Sequence, residues 1–206
     1  MIQVAIQAVP ERMPNVFKLK EELESFGLNV TIFCDHNKVG MMGNMKRILE
    51  TEWIDKVLIL QDDVILAPNF KNHLSDIETR MDKSEIECVS LFVPPRGYYQ
   101  KAMDSGITMY LEKNFLWNPA MLYSKKYRQD LINFQSESFK NWIDTWIGAF
   151  AKETKRYVYV SLPSIVQHDL DIKSTIGTPA KVGSVYRKSY LFFEVPDGHF
   201  LNDKKL

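Results

Sequence analysis

Two adjacent carboxylates, Asp62 and Asp63, follow the unbroken apolar run Val57-Leu58-Ile59-Leu60 with only Gln61 between. A run that is apolar at every position fits a β-strand covered on both faces. Carboxylates at the end of such a strand repel one another and lose hydration, so the pair calls for a cation, either a divalent metal or a basic side chain. The chemically silent reading of the same residues is a loop pair or a helix N-cap.

The elements that present this pair read as strands and helices in alternation. Ile2 to Val9 predicts a first strand, stopped by Pro10; Val16, Leu19, Leu23 and Phe26 recur at helical spacing until Gly27. Asn29 to Cys34 follows as a second strand, Met41 to Trp53 as a helix with Met45, Ile48 and Leu49 on one face, and Lys56 to Gln61 as the third strand. Phe70, Leu74, Ile77 and Met81 mark a further helix, and Glu87 to Val93 a strand ending at Pro94-Pro95. Short connections between such units imply right-handed crossovers and a mainly parallel sheet. The second half is less regular. Ile107 to Leu111, Met121 to Tyr123 and Tyr157 to Ser161 read as short strands, and Trp142, Ile143, Trp146, Ile147 and Phe150 as the apolar face of a helix reaching about Glu153. From Asp169 onward, Gly177, Pro179, Gly183 and Pro196 break the pattern into a loop-rich tail.

In an open parallel sheet, ligands bind where the strands end and the loops leave. With Asp62 and Asp63 at that edge, Val57 to Val64 resembles the strand that leads into the Asp-x-Asp motif of the GT-A fold glycosyltransferases. The resemblance implies an α/β fold with a helix-flanked, mainly parallel central sheet. It also implies metal-dependent transfer of a sugar from a nucleotide-sugar donor, with a UDP-sugar expected, to an acceptor that is a glycan, a lipid-linked sugar, a protein or a modified nucleic-acid base. Carried over position by position, Asp63 is the metal ligand and Asp62 a ribose or donor-sugar contact; Gln61 departs from the family's first acidic position. Val9-Pro10-Glu11-Arg12 and Cys34-Asp35-His36 fall where the family holds base and ribose, which makes Pro10, Arg12 and Asp35 candidate nucleotide contacts. The helix bearing Asn44, Lys46 and Arg47 is similar to one that lines the family's nucleotide pocket. Leu162 to His168 is similar to the stretch that supplies the family's metal-binding histidine, so His168 is the third ligand of Mn²⁺ or Mg²⁺, the nitrogen donor favouring Mn²⁺. Asp144, in the first turn of its helix, resembles the base that inverting members use to take the acceptor proton.

One domain is expected over residues 1–206: a nucleotide-sugar half at 1–95, an acceptor and catalytic half at 96–168, and a tail at 169–206. That tail carries Lys173 and Ser174 among hinge-capable residues and would close over the diphosphate as a lid. Tyr98, Tyr99 and Trp117 are candidate stacking surfaces for the acceptor sugar, whereas Trp142 and Trp146 fit the core by their spacing. The rival to an enzyme is a binding module that keeps the fold and has lost the chemistry, and Gln61 is the residue that favours it.

Composition narrows the classes further. The chain has 206 residues, 45% hydrophobic and 25% charged, which suits a globular domain with a sizeable core. Lys plus Arg and Asp plus Glu balance at 26 each, so no overall field steers the chain to nucleic acid or anionic lipid. Its two cysteines, Cys34 and Cys88, lie in apolar strands and read as buried thiols, and with a first segment that reads as a strand rather than a leader, a cytoplasmic setting is expected. A Rossmann dehydrogenase, a P-loop NTPase or a sugar-nucleotide pyrophosphorylase calls for a glycine-rich loop after the first strand, and Val9 to Pro14 contains no glycine.

Overall fold

A computed structural model describes residues 1–93, 97–113, 115, 119–134, 143–169 and 171–172. Among these, seven strands form one sheet in the order β2-β1-β3-β7-β5-β8-β6, with β1 at Ile2–Ala8, β2 at Asn29–Cys34, β3 at Lys56–Gln61, β5 at Cys88–Ser90, β6 at Met109–Glu112, β7 at Ala120–Tyr123 and β8 at Val158–Ser161. β1, β2 and β3 run parallel; β7 runs against β3 and β5, β8 runs with β5, and β6 closes the edge antiparallel to β8. Only β6 and β7 therefore oppose the common direction. The mixed α/β fold with a mostly parallel sheet is the one the strand and helix periodicities predict.

Both faces of β3 are buried, which is why its sequence shows no polar alternation. Leu58 and Leu60 join Val4 and Ile6 in one core beneath helices α1 (Met13–Ser25) and α3 (Phe70–Lys83), through Val16, Leu19, Leu23, Phe70, Leu74 and Ile77. On the opposite face, Val57 and Ile59 join Ala5 in a second core beneath α2 (Gly40–Glu50), α5 (Lys125–Asn133) and α6 (Ile143–Thr154). Ile143, Trp146, Ile147 and Phe150 of α6 are all in that core, as the helical spacing predicts; Trp142 lies outside the described residues. Both cysteines are buried free thiols.

Helix α1 stops where its sequence says it should. Gly27 takes the left-handed conformation at φ 79°, its N–H bonds the Glu24 carbonyl, and the Leu28 N–H bonds Leu23, a paired closure that a residue with a Cβ reaches only under strain. At the other end of β1, Pro10 opens a single 3₁₀ turn, Pro10–Arg12, before α1 begins.

Four elements were not legible in the sequence. Helix α4 spans Gly97–Asp104, helix α5 follows a Ser124 cap whose hydroxyl accepts from the Tyr127 N–H, and two three-residue strands, β4 (Val64–Leu66) and β9 (Val166–His168), pair antiparallel as a separate ladder. The strand expected over Glu87 to Val93 is regular only across Cys88–Ser90, because beyond it the backbone turns to serve β9: the Leu91 carbonyl accepts from the N–H groups of Ile165 and Val166. Ser164, fully buried, fixes this junction. Its hydroxyl lies 3.1 Å from the Val93 N–H and 2.7 Å from the Val166 carbonyl. Replacing Ser164 with Ala leaves a buried Val93 N–H without its acceptor, and we expect a loss of about 1–3 kcal/mol in a denaturant unfolding experiment; a change within a few tenths would show that the junction does not depend on this hydroxyl.

Candidate functional site

β1 and β3 end side by side, with Gln7 in register with Gln61, and the chain leaves β3 through a two-residue turn made of Asp62 and Asp63. It then enters β4, whose pairing with β9 sets Val64 opposite His168, and the Asp169 N–H bonds the Asp63 carbonyl at 2.7 Å. This short ladder carries a histidine from far along the chain to the end of β3. The His168 Nδ1 lies 3.4 Å from Asp63 Oδ1, and the edge of its ring meets Phe92 with centroids 5.3 Å apart.

Asp62 turns back toward β1. One of its oxygens accepts the Val9 N–H at 2.8 Å and the other meets Arg12 Nη1 at 2.6 Å. The same Nη1 lies 3.2 Å from Asp63 Oδ2. Arg12, Asp62 and Asp63 are all buried, so a guanidinium and two carboxylates share a poorly solvated corner. Burial pushes the Asp62 carboxyl above its ordinary value, and the Arg12 charge and the Val9 N–H pull it back down without cancelling the rise. The basic side chain that the doublet calls for is therefore Arg12, placed by the 3₁₀ turn that Pro10 opens. Sequence alone could not pair residues fifty positions apart, although each was legible as a candidate.

Asp35 and Asn44 hold the neighbouring connection from β2 to α2. The Asp35 carboxylate accepts the N–H groups of Val39 at 2.9 Å and Gly40 at 2.8 Å, at the positive end of α2, and its own N–H bonds the Ala8 carbonyl. Asn44 donates to the Phe33 carbonyl at 2.8 Å and accepts from Arg47, which also donates to Cys34 at 3.0 Å. Lys46 lies over the Trp146 ring, 6.0 Å from its centre. Gln7 donates to the Met41 carbonyl at 2.7 Å, tying the start of α2 to the end of β1. Pro10 is exposed on its turn.

Asp144 occupies the first turn of α6, on the side of the sheet that holds the second core, and burial pushes its carboxyl up to about 7. Tyr99, expected on the acceptor side, is instead a core residue. It is fully buried, donates its hydroxyl to Glu112 and meets Tyr110 edge-on at 5.5 Å, so neither ring face is open to a sugar. The aromatic character that drew attention to it serves the third hydrophobic cluster, with Val93, Ala102, Val160 and Leu162. The side chain of Tyr98, and Trp117, Lys173 and Ser174 with the expected lid, lie outside the described residues.

No protein-family model matches the chain, and no curated protein matches it in sequence. Solved structures do match in fold. A glycosyltransferase involved in glycosylation of the major capsid of PBCV-1 superposes with a TM-score of 0.52 at 10% identity, over 87% of this chain and 98% of that one. A protein assigned as a glucose-1-phosphate thymidylyltransferase from Bacillus anthracis, solved in complex with sucrose, gives 0.50 at 9% identity, over 82% and 89%. The chain thus has the GT-A-like, nucleotidyltransferase-like α/β fold. No helix among the described residues is long and apolar enough to cross a membrane.

Removing Asp62 takes from the buried Arg12 guanidinium its 2.6 Å carboxylate partner and leaves the Val9 N–H without its acceptor. Asp62→Ala is expected to cost about 3–5 kcal/mol of unfolding free energy at neutral pH; a loss below about 1 kcal/mol would show that the pairing carries little of the fold.

Proposed function

We propose that the chain is a glycosyltransferase that moves a sugar from a nucleotide-diphosphate donor, a UDP-sugar, to a hydroxyl-bearing acceptor with inversion, using a divalent metal held by Asp63 and His168. The observation that carries this reading is the 3.4 Å approach of the His168 imidazole to the Asp63 carboxylate at the end of β3. Two side chains with no sequence proximity meet there through the β4–β9 ladder, at the edge where open α/β sheets bind ligands.

The donor set fits such an ion. One carboxylate oxygen and one imidazole nitrogen leave most positions of a six-coordinate Mn²⁺ or Mg²⁺ for diphosphate oxygens and water, the usual arrangement for ions that serve phosphate substrates. Bound there, the ion would offset the negative charge that grows on the departing diphosphate. This chain's own residues do the rest. Asp144 accepts the proton of the acceptor hydroxyl as the new bond to the anomeric carbon forms and the bond to the diphosphate breaks. A carboxyl poised near neutrality suits that task, because it is basic enough to take a proton and is partly ionised at neutral pH. Asp62, fixed by Val9 and Arg12, holds the end of β1 against the end of β3, so that the loops expected to meet the nucleotide share one frame.

A second reading is favoured by one specific observation: Arg12 already supplies a cation to both carboxylates. A module that binds nucleotide sugar and does no chemistry would look the same. Release of nucleotide from UDP-sugars separates the two. The enzyme releases UDP in Mn²⁺ and stops in excess EDTA, and Asp63→Ala lowers the rate about 100-fold or more while the protein stays folded. Absence of release in every donor and metal condition would remove the transferase reading.

The Asp144 role has its own pH signature. The base acts deprotonated, so turnover should rise as pH increases through about 7 and fall away below it, and Asp144→Asn should lose about 100-fold or more at the plateau. Stability moves oppositely. A carboxyl raised from 3.8 to about 7 binds its proton more tightly in the folded chain, so stability falls as pH rises between those values. Asp144→Asn should therefore match the parent near pH 4 and exceed it above pH 7, by up to about 4 kcal/mol from the shift alone. A flat activity profile with no change in stability difference would contradict the assignment.

A further inference from the structure

One guanidinium faces two carboxylates, with Arg12 Nη1 at 2.6 Å from Asp62 and 3.2 Å from Asp63. Asp63 is divided between partners: Oδ2 faces the guanidinium, and Oδ1 faces the His168 imidazole at 3.4 Å. A divalent ion placed between Asp63 and His168 would sit close to a fixed positive charge, and like charges at that range and burial oppose one another strongly.

We propose that Arg12 is a resident counter-ion that competes with the divalent cation for Asp63, so that the site takes its metal weakly until a diphosphate draws the guanidinium off. This rests on the metal-and-donor reading above and adds its order of events. A guanidinium can form two parallel bonds to phosphate oxygens, whereas the Arg12 Nη1 lies 3.2 Å from Asp63 Oδ2 and closer to Asp62. Arg12 closes a 3₁₀ turn whose Pro10 and Glu11 are exposed, so a short turn at the surface carries the guanidinium that meets Asp63. When the donor's diphosphate arrives, Asp63 gives up one cation and gains another. Metal and nucleotide diphosphate then bind each more tightly in the presence of the other, and by linkage the gain is equal in both directions.

The test is calorimetric titration of Mn²⁺ into the parent chain, Arg12→Met and Arg12→Lys, each with and without UDP. Without nucleotide, R12M should bind Mn²⁺ about ten-fold tighter or more than the parent, about 1.4 kcal/mol, and R12K should stay near the parent because it keeps the charge. UDP should tighten Mn²⁺ binding to the parent by a larger factor than to R12M. Equal or weaker Mn²⁺ binding by R12M overturns the proposal. Circular dichroism in EDTA and in Mn²⁺ covers the case in which R12M does not fold unaided: recovery in Mn²⁺ supports an exchangeable cation, and failure to fold in either condition overturns it. The donor assay is read separately. A parent chain that turns over while R12M gains no Mn²⁺ affinity sinks the counter-ion alone, whereas an R12M gain in a chain that never releases UDP upholds the counter-ion and sinks the transferase.

Discussion

The Arg12 guanidinium, lodged between two adjacent buried carboxylates, is the constraint on which this structure turns. Two carboxylates at the end of a strand covered on both faces have lost most of their water, and without a cation their mutual repulsion would open the turn. Arg12 supplies that cation from the loop after β1, and in doing so it binds the end of β1 to the end of β3. The Asp62 bond to the Val9 N–H is the second half of the same clamp. Once the turn is fixed, β4 leaves it in a defined direction, β9 pairs with β4, and His168 arrives beside Asp63.

The sheet separates two kinds of packing, and the proposed chemistry follows that division. Beneath α1 and α3, the first core extends to Val64, Ile165 and Val166, so the β4–β9 ladder is seated on apolar contacts that hold the carboxylate and imidazole in place. On the other face, α2 and α6 cover the second core, and Asp144 stands at the start of α6. The proposed base and the proposed metal ligands thus depend on different cores. A change that loosens one need not disturb the other, as the Ser164 junction and the α6 face are built from separate residues.

Much of this was legible in the sequence, and the gaps have physical causes. β2 and β3 fall at the residues their apolar runs mark, and α1 ends at the glycine that only a left-handed turn needs. Helix α5 was not read because its Lys-Lys-Tyr-Arg-Gln-Asp run is mostly polar and its buried face is only Tyr127, Arg128 and Leu131. Arg128 is buried there only because its guanidinium bonds the carbonyls of Leu49 and Thr51, a satisfaction no local pattern displays. Strands of three residues, like β4 and β9, are too short for alternation to show. The acidic doublet stood out, since a doublet after an apolar strand is a local signal. Its pairing with Arg12 did not, because a salt bridge between a first-loop arginine and a mid-chain aspartate is a property of the folded sheet. Tyr99 shows the opposite error: an aromatic near a loop suggested a sugar platform, and tertiary packing claimed it for the core.

The proposed function requires that Asp63 and His168 hold one metal ion together. Anomalous diffraction at the manganese edge, from crystals grown with Mn²⁺ and a nucleotide diphosphate, asks this directly. A single strong peak is expected within bonding distance of Asp63 Oδ1, the His168 imidazole and the diphosphate, with the Arg12 guanidinium moved from Asp63 to a phosphate. A nucleotide bound without any peak at that position, or a peak held by other residues, would contradict it.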